Sequence, residues 1–341
     1  RRLPQGNASA FSGNPRADDA EVEVAVRAGT TGTDASRGLA RVLTAAAALG
    51  TLGPVAAVAY GQGVGPATFS ALRAAIGIAV FGVLLLTHRQ PSVSLRQLAP
   101  HQRRMLAGAA VVNGLTNLVL FFAFGAMAVG LVMAVYYLYP VFVAVLSTAL
   151  GRERLTAVRV LALAIACGGL VLVLGGQLDP GAHATAAGVA LAAAAALCQA
   201  IYLVAIRGGF DDVPGVQATT VVLIGGLVIS GTAALLLEGP ASAGAWLASP
   251  TAWLALACAG TVGALPKVWV MGGVRLIGST RAALALLTEP VVAVVVAALV
   301  LGQRLSAAEL AGGAAILLAV VLVRRSDGAT RRHIPVTHGG S

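Results

Sequence analysis

The chain has 341 residues, of which 58% are hydrophobic and only 11% are charged, and its mean hydropathy is +0.87. This composition excludes the set of soluble domains that the length alone would allow, because several apolar runs exceed the roughly 18 residues typical of a membrane-spanning helix. The net charge of +10 does not indicate a nucleic-acid partner, since the basic residues lie mainly in short loops, where they set membrane orientation.

In chain order, a polar tail is followed by ten apolar segments and a second polar tail. Residues 1–38 are rich in glycine, alanine, serine and threonine, which predicts a disordered cytoplasmic tail. Residues 325–341 form a basic cytoplasmic tail. Each apolar segment has about the length that a bilayer requires. The predicted spans are 42–60, 67–87, 105–126, 130–150, 158–177, 186–206, 216–237, 251–272, 280–301 and 306–324.

The arginines between these spans alternate from side to side. With a cytoplasmic N-terminus, the cytoplasmic segments hold 16 arginines and the external loops hold only Arg304. Basic residues accumulate on the cytoplasmic side of membrane proteins. The count therefore predicts a multi-pass protein of the plasma membrane with both termini in the cytoplasm.

A weak internal repeat divides the spans into two halves. Pro290 lies 150 positions after Pro140, and Arg304 lies 150 positions after Arg154. Five spans in each half give the halves opposite orientations, an arrangement common in secondary transporters. The predicted fold is an all-α polytopic membrane protein with ten transmembrane helices as two inverted five-helix repeats, 40–177 and 185–324.

The second half differs from the first by a buried acid. Glu289 precedes Pro290, whereas Tyr139 precedes Pro140. A charge at this depth costs roughly 2.5–3.5 kcal/mol on insertion scales, so such groups commonly have a function. Glu289 is either a site for a proton or a substrate amine, or a protonated carboxyl that is hydrogen-bonded to the backbone. Pro140, Pro266 and Pro290 are candidate kinks for gating, because proline interrupts helical hydrogen bonding.

Two cations also fall within spans. Lys267, the only lysine in the chain, either binds an anionic group or pairs with Glu289, or else extends to the membrane interface. Arg73 either binds a ligand or extends to the membrane interface. Glu153 lies between Arg152 and Arg154 and is expected to form a solvated ion pair in a loop.

Further polar and aromatic residues are candidates to line a cavity. Asn113 and Asn117 lie four positions apart, hence on one helix face, and their alternative role is to join helices by hydrogen bonds. Tyr137 is expected to pack or to face lipid. Trp269 is either a pocket wall or an interfacial anchor. The remaining candidates for the site are Tyr136, Tyr139, Gln199 and Tyr202.

Signals for enzymatic chemistry are missing from the sequence. It contains no metalloprotease, nucleophile-elbow or phosphate-loop motif, and its histidines lie in loops and tails. The expectation is therefore a protein that is not an enzyme, with no cofactor and no metal, whose partners are the lipid bilayer and a small-molecule solute. Glycine-rich faces would permit a homodimer.

Three stretches resemble the EamA family of the drug/metabolite transporter superfamily over residues 40–324. They are GPATFSALRAAIG with Arg73, LYPVFVAVLSTALGRERLT with Pro140 and Glu153, and RLIGSTRAALALLTEPVVAVVVAALVLGQRLS with Glu289 and Pro290. The resemblance implies a ten-helix transporter with a central cavity that exports metabolites, often amino acids. The sequence departs from the family pattern at Gln303, where a glutamate is usual, and at Lys267, where an aromatic residue is common.

The predicted function is a gradient-driven secondary transporter, an exporter of amino acids or related carboxylate solutes that works by alternating access. The alternative is a non-transporting carrier-fold subunit or scaffold of a lipid-modifying or envelope complex. A lysine in the cavity would favour a solute that bears a carboxylate.

Overall fold

The computed structural model describes residues 33–87, 92–127, 129–153, 155–175, 184–239, 244–301 and 306–332. These residues are almost entirely helical and contain no strand. The predicted tail 1–38 lies mostly outside the described residues, but its last part, 33–38, is helical. The helix that includes the last predicted span continues to Arg332, inside the predicted tail 325–341. The rest of this tail, 333–341, is outside the described residues.

Thirteen helices can be numbered along the described part of the chain. They are α1 (33–49), α2 (Leu52–Gly61), α3 (Pro66–Thr87), α4 (Pro100–Ala126), α5 (Val129–Tyr136), α6 (Tyr139–Ala149), α7 (Ala157–Gly175), α8 (Ala186–Ile206), α9 (Gly215–Ala233), α10 (Pro250–Ile277), α11 (Ser279–Leu286), α12 (Thr288–Leu301) and α13 (Ala307–Arg332). A π-helical turn, Ala234–Glu238, extends α9, and a short 3₁₀ helix, Ala245–Ala248, precedes α10.

Seven helical segments in the described part of the chain are long and apolar enough to cross a membrane. Many large apolar side chains on their outer surfaces are exposed, for example Leu86 at 84% and Leu299 at 80%. In water such a surface would be unfavourable, so it indicates contact with lipid. The protein is therefore a multi-pass membrane protein.

Three of the predicted spans are each divided into two helices. Span one is interrupted at Gly50 and Thr51, between α1 and α2. Span four is interrupted after Tyr136, and Pro140 follows as the second residue of α6. Span nine is interrupted at Leu287, and Pro290 is the third residue of α12. Proline is tolerated in the first turn of a helix, where an N–H would lack an intrahelical partner anyway.

Pro266 behaves differently from the other two candidate kinks. It lies inside α10, which is continuous from Pro250 to Ile277. The helix is not interrupted at this proline. Pro140 and Pro290, in contrast, lie in the first turns of half-helices.

The helices of the two halves pack in matching pairs. α4 packs against α8 and α9, as α10 packs against α2 and α3. α7 and α13, the last helices of each half, pack against each other. Close approach there depends on glycine, because a Cβ on Gly169 would lie 2.6 Å from the Gly312 carbonyl oxygen.

Hydrogen bonds between loops group the helix ends into two faces. One, the arginine face, is joined by Arg152, whose guanidinium donates to the carbonyls of Val204 and Arg207, and by Arg275, which donates to the carbonyl of Val213. The other, the Glu238 face, is joined by Glu238, which accepts from the amides of Ala67 and Thr68, and by Ser249, which donates to Gln62. α9 runs from the arginine face to the Glu238 face, and α10 runs back to the arginine face.

Candidate substrate cavity

A central cavity of about 340 Å³ lies between helices of both halves. Its wall comes from α1 to α6 and from α8, α10, α11 and α12, whereas α7 and α13 lie outside it. Its polar and aromatic lining residues are Tyr60, Phe69, Arg73, Asn113, Thr116, Asn117, Tyr136, Tyr137, Tyr139, Gln199, Tyr202, Lys267 and Glu289. A cavity with apolar and aromatic walls and a few charged groups is typical of a small-molecule site.

Arg73 and Lys267 form the cationic part of the central cavity. The Lys267 Nζ donates a hydrogen bond to Asn113 Oδ1 at 2.9 Å, and the Arg73 Nη2 donates to Asn117 Oδ1 at 3.3 Å. Both cations therefore face the cavity rather than the membrane interface. A recess of about 20 Å³ lies between them, and Ser70 contributes to its wall.

The two asparagines lie on one face of α4, as the spacing of four residues requires. The Asn117 Nδ2 donates to the Asn113 carbonyl oxygen at 2.8 Å, which leaves the Asn117 Oδ1 for Arg73. Asn113 is only 5% exposed. Both predicted roles apply, because the amides line the cavity and also connect α4 to α3 and α10.

Glu289 and three tyrosines form the acidic and aromatic part. Glu289 is the second residue of α12, where the helix dipole favours a negative charge. The side chains of Tyr137 and Glu289 both line the cavity. Tyr136 lies 5.6 Å from both Tyr137 and Tyr139, measured between ring centroids. No carboxylate–cation pair within 4 Å joins Glu289 to another described residue.

The interruption between α1 and α2 rests directly on the backbone of Glu289. A Cβ placed on Gly50 would lie 2.7 Å from the Glu289 carbonyl oxygen and 3.1 Å from the Ala293 amide nitrogen. Only glycine allows this approach without a shift of one segment. The interrupted first span and α12 are thus packed together beside the candidate acid.

The cavity is bounded differently toward the two faces. Tyr60 and Phe69, next to the loop on the Glu238 face, line it there, with ring centroids 5.3 Å apart. At the arginine face lies Glu153, which does not line the cavity and whose side chain is 7% exposed. Its Oε1 accepts hydrogen bonds from Arg207 Nη1 at 2.9 Å and from the Ser279 amide at 2.9 Å.

Nine of the ten candidate residues from the sequence line this cavity. The exception is Trp269, which is 39% exposed and lies outside the lining, as the anchor alternative expects. Glu153 corrects the sequence interpretation, since it is buried and joins the two halves instead of forming a solvated loop pair. Sequence reasoning missed Tyr60 and Phe69, whose positions at span ends carried no cavity signal.

Tyr137 packs in the core, which is one of the two alternatives expected from the sequence, and it also lines the cavity. It is 4% exposed and lines the cavity, because the interruption after Tyr136 turns neighbouring tyrosines toward the same space. A regular helix would have directed Tyr136 and Tyr137 to different sides. Gln303 lies outside the described residues.

The outer surface of the helices is apolar, and the two halves enclose a polar cavity. These two features define the class of multi-pass membrane transporters. The EamA-like transporter family matches the chain twice, at residues 36–175 and 186–325. The chain belongs to this family, within the drug/metabolite transporter superfamily. Members of the family are transporters and not enzymes.

A solved crystal structure of another protein is similar in fold. It aligns with 86% of this chain and 99% of its own, with a TM-score of 0.71 and 22% sequence identity. At this identity the likeness concerns the fold alone. No curated protein sequence matches the chain.

Proposed function

We propose that the protein is a gradient-driven secondary transporter that exports amino acids or related carboxylate solutes across the plasma membrane. The observation that carries this proposal is one cavity that holds Glu289 together with Arg73 and Lys267. A half-buried acid and two half-buried cations beside open space can bind opposite charges of one small solute. Intramembrane charges of this kind commonly mark transport pathways.

The architecture that goes with this function is ten spans in two inverted halves. The matched helix pairs and the alternation of helix ends between two faces support it. The arginine face is the cytoplasmic side in this proposal, since Arg152, Arg207 and Arg275 lie there and basic residues favour that side. Both termini are then cytoplasmic.

Alternating access requires that the cavity open to one side at a time. In this proposal Tyr60 and Phe69 lie toward the external side of the cavity, while the contacts of Glu153 lie on the cytoplasmic side. The half-helices that begin with Pro140 and Pro290 are the segments that would move. Each is already separated from its other half by an interruption.

The proposal is tested by solute counterflow. Purified protein in liposomes that are preloaded with an unlabelled amino-acid mixture is diluted into traces of labelled amino acids and of simple carboxylates. The expected result is transient accumulation of at least one label above that in protein-free liposomes.

A different result would favour the scaffold alternative. If no label accumulates in any combination, and the protein purifies from its native membrane as a stoichiometric complex with an envelope or lipid-modifying protein, the transporter proposal fails. A variant with a filled recess is a useful control, because passive leakage of label into the liposomes would persist in it. Ser70→Trp, at the recess between the cations, serves this purpose.

A further inference from the structure

We propose that Arg73, Lys267 and the two asparagines form an anion subsite that binds the carboxylate of the solute and sets the specificity of the carrier. The inference rests on the proposed function and makes it more specific. It assigns the carboxylate to the recess between α3, α4 and α10, and leaves the amine end of a zwitterion to Glu289 and the tyrosines. Solutes that lack a carboxylate are then poor ligands.

The first support is the unused hydrogen-bonding capacity of the cations. An arginine has five N–H donors and a lysine ammonium has three. Among the described residues, Arg73 and Lys267 each make one side-chain hydrogen bond, and each acceptor is a neutral amide oxygen. The remaining donors face the recess and the central cavity, which both cations line.

The second support is the charge of the recess. Its wall contains two cationic side chains and no carboxylate. Buried charges are expensive unless they are paired, and two like charges in one wall add to the cost. A carboxylate that enters the recess supplies the missing negative charge and accepts hydrogen bonds that are stronger than those to a neutral amide.

The third support is the way in which the asparagines hold the cations. Because the Asn117 Nδ2 is bonded to the Asn113 carbonyl, the two side-chain oxygens are directed toward different cations. Each amide therefore fixes one cation without neutralising it. An aspartate at either position would pair with its cation and compete with the solute. The amides are positioning residues for the anion subsite.

The size of the recess decides which part of a solute it holds. At about 20 Å³ it takes one small group, whereas the central cavity of about 340 Å³ takes the body of a metabolite. A solute that places its carboxylate there extends its other end into the cavity that Glu289 lines. The geometry fits an amino acid better than a bare amine or a neutral amide.

The test uses the fact that Lys267 is the only lysine in the chain. An amine-directed reagent can acylate Lys267 and the α-amino group, and mass spectrometry of the peptides separates the two products. The rate at Lys267 is measured in the purified full chain with no addition, with proteinogenic amino acids, with the corresponding α-carboxamides, and with sodium chloride. The α-amino group reports any effect of the probes on the reagent itself.

The expected result is protection by the amino acids alone. Mass action slows labelling of Lys267 by about tenfold when a probe is present at about ten times its Kd. The carboxamides, which lack the carboxylate, should leave the rate unchanged. Equal protection by carboxamides, or no protection by any amino acid, overturns the inference. Equal protection by chloride also overturns it, because the recess would then bind any anion.

Three variants, followed by the thermal shift that the amino acids cause, separate recognition from folding. Lys267→Met should weaken binding by about tenfold to a hundredfold, the range expected for hydrogen bonds to a charged group. Lys267→Arg, which keeps the charge, should retain most of the affinity. Asn113→Asp should weaken binding although it removes no cation. Wild-type affinity in Lys267→Met contradicts the inference, provided that its unliganded melting temperature matches the wild type.

Failure of the anion subsite and failure of the proposed function give different results. If the protein accumulates labelled amino acids in counterflow but amino acids do not protect Lys267, the transporter stands and the subsite is wrong. If carboxylates protect Lys267 but no solute accumulates, the subsite stands and the transport proposal fails.

Discussion

The carboxylate of Glu153 accepts a hydrogen bond from the backbone amide of Ser279 at 2.9 Å, so a residue in the loop after α6 caps the first turn of α11. The same Oε1 accepts from the Ser279 hydroxyl at 3.0 Å and from Arg207 Nη1 at 2.9 Å. The acid thereby joins the two halves of the chain at the arginine face. It also satisfies amides that have no partner within their own helix.

Glu153→Gln should destabilise the protein by about 1–3 kcal/mol, the usual range for hydrogen bonds to a charged group. The amide of glutamine keeps the size of the side chain but removes the charge that Arg207 and the helix terminus stabilise. The measurement is the unfolding of the purified protein in detergent. The matched control is Glu309→Gln, because Glu309 forms a capping box with Ser306 that glutamine can also form. Equal stability of the two variants would show that the contact across the halves contributes nothing.

The stability that Glu153 contributes should disappear in acid. Burial alone would raise the pKa of this carboxyl, but hydrogen bonds from Thr280 and Ser279 and the charge of Arg207 outweigh burial and hold the pKa below its usual value of 4.5. A group whose pKa is depressed by folding stabilises the protein above its unfolded pKa and ceases to do so as the pH falls through the folded pKa.

The free energies of unfolding of the wild type and Glu153→Gln should therefore differ by a constant amount at neutral pH. The difference should shrink as the pH falls below 4.5. Unfolding curves measured across the acidic range test this expectation. A difference that grows in acid would mean that the protonated form of Glu153 is the one that the fold stabilises.

Gly50→Ala should move the interruption of the first span away from α12. The new Cβ would lie 2.7 Å from the Glu289 carbonyl oxygen, which is backbone and cannot turn aside. Overpacking of this kind typically costs about 1–3 kcal/mol. The melting temperature and the affinity for amino acids should both fall. In Gly61→Ala the added methyl group meets nothing within 4 Å, so that variant should match the wild type.

A pair of adjacent glycines tests the packing of α7 against α13. A Cβ on Gly169 would lie 2.6 Å from the Gly312 carbonyl oxygen, whereas one on Gly168 would meet nothing within 4 Å. Gly169→Ala should lower the melting temperature, and Gly168→Ala should leave it unchanged or raise it slightly, since alanine favours helix. Equal melting temperatures of the two variants would contradict the close packing of α7 against α13. Neither residue lines the central cavity, so binding affinity should follow stability alone.

The sequence was sufficient to predict most of the site because charge is rare in its apolar spans. Glu289, Lys267 and Arg73 stand out for that reason, and the periodicity of a helix places Asn113 beside Asn117. Proline also marked two of the three interrupted spans. These signals are local, because each comes from a residue type that is unfavourable in a lipid-exposed helix.

What the sequence could not show depends on contacts between distant segments. The interruption at Gly50 arises where α1 meets the backbone of α12, and no residue pattern within the first span alone predicts it. Glu153 looks like an ordinary loop acid until α11 is placed against it. Pro266 lies within a continuous α10, because surrounding helices can support a proline within a membrane span.

The proposed function requires Glu289 in the central cavity, and a pH gradient is the driving force tested first. The most direct measurement is the flux of labelled amino acids into liposomes that contain wild type, Glu289→Gln or Glu309→Gln, each with and without a pH gradient. A pH gradient should accelerate flux in the wild type and in Glu309→Gln. Glu289→Gln should melt like the wild type and lose the gradient-driven flux. Undiminished gradient-driven flux in Glu289→Gln would contradict the account.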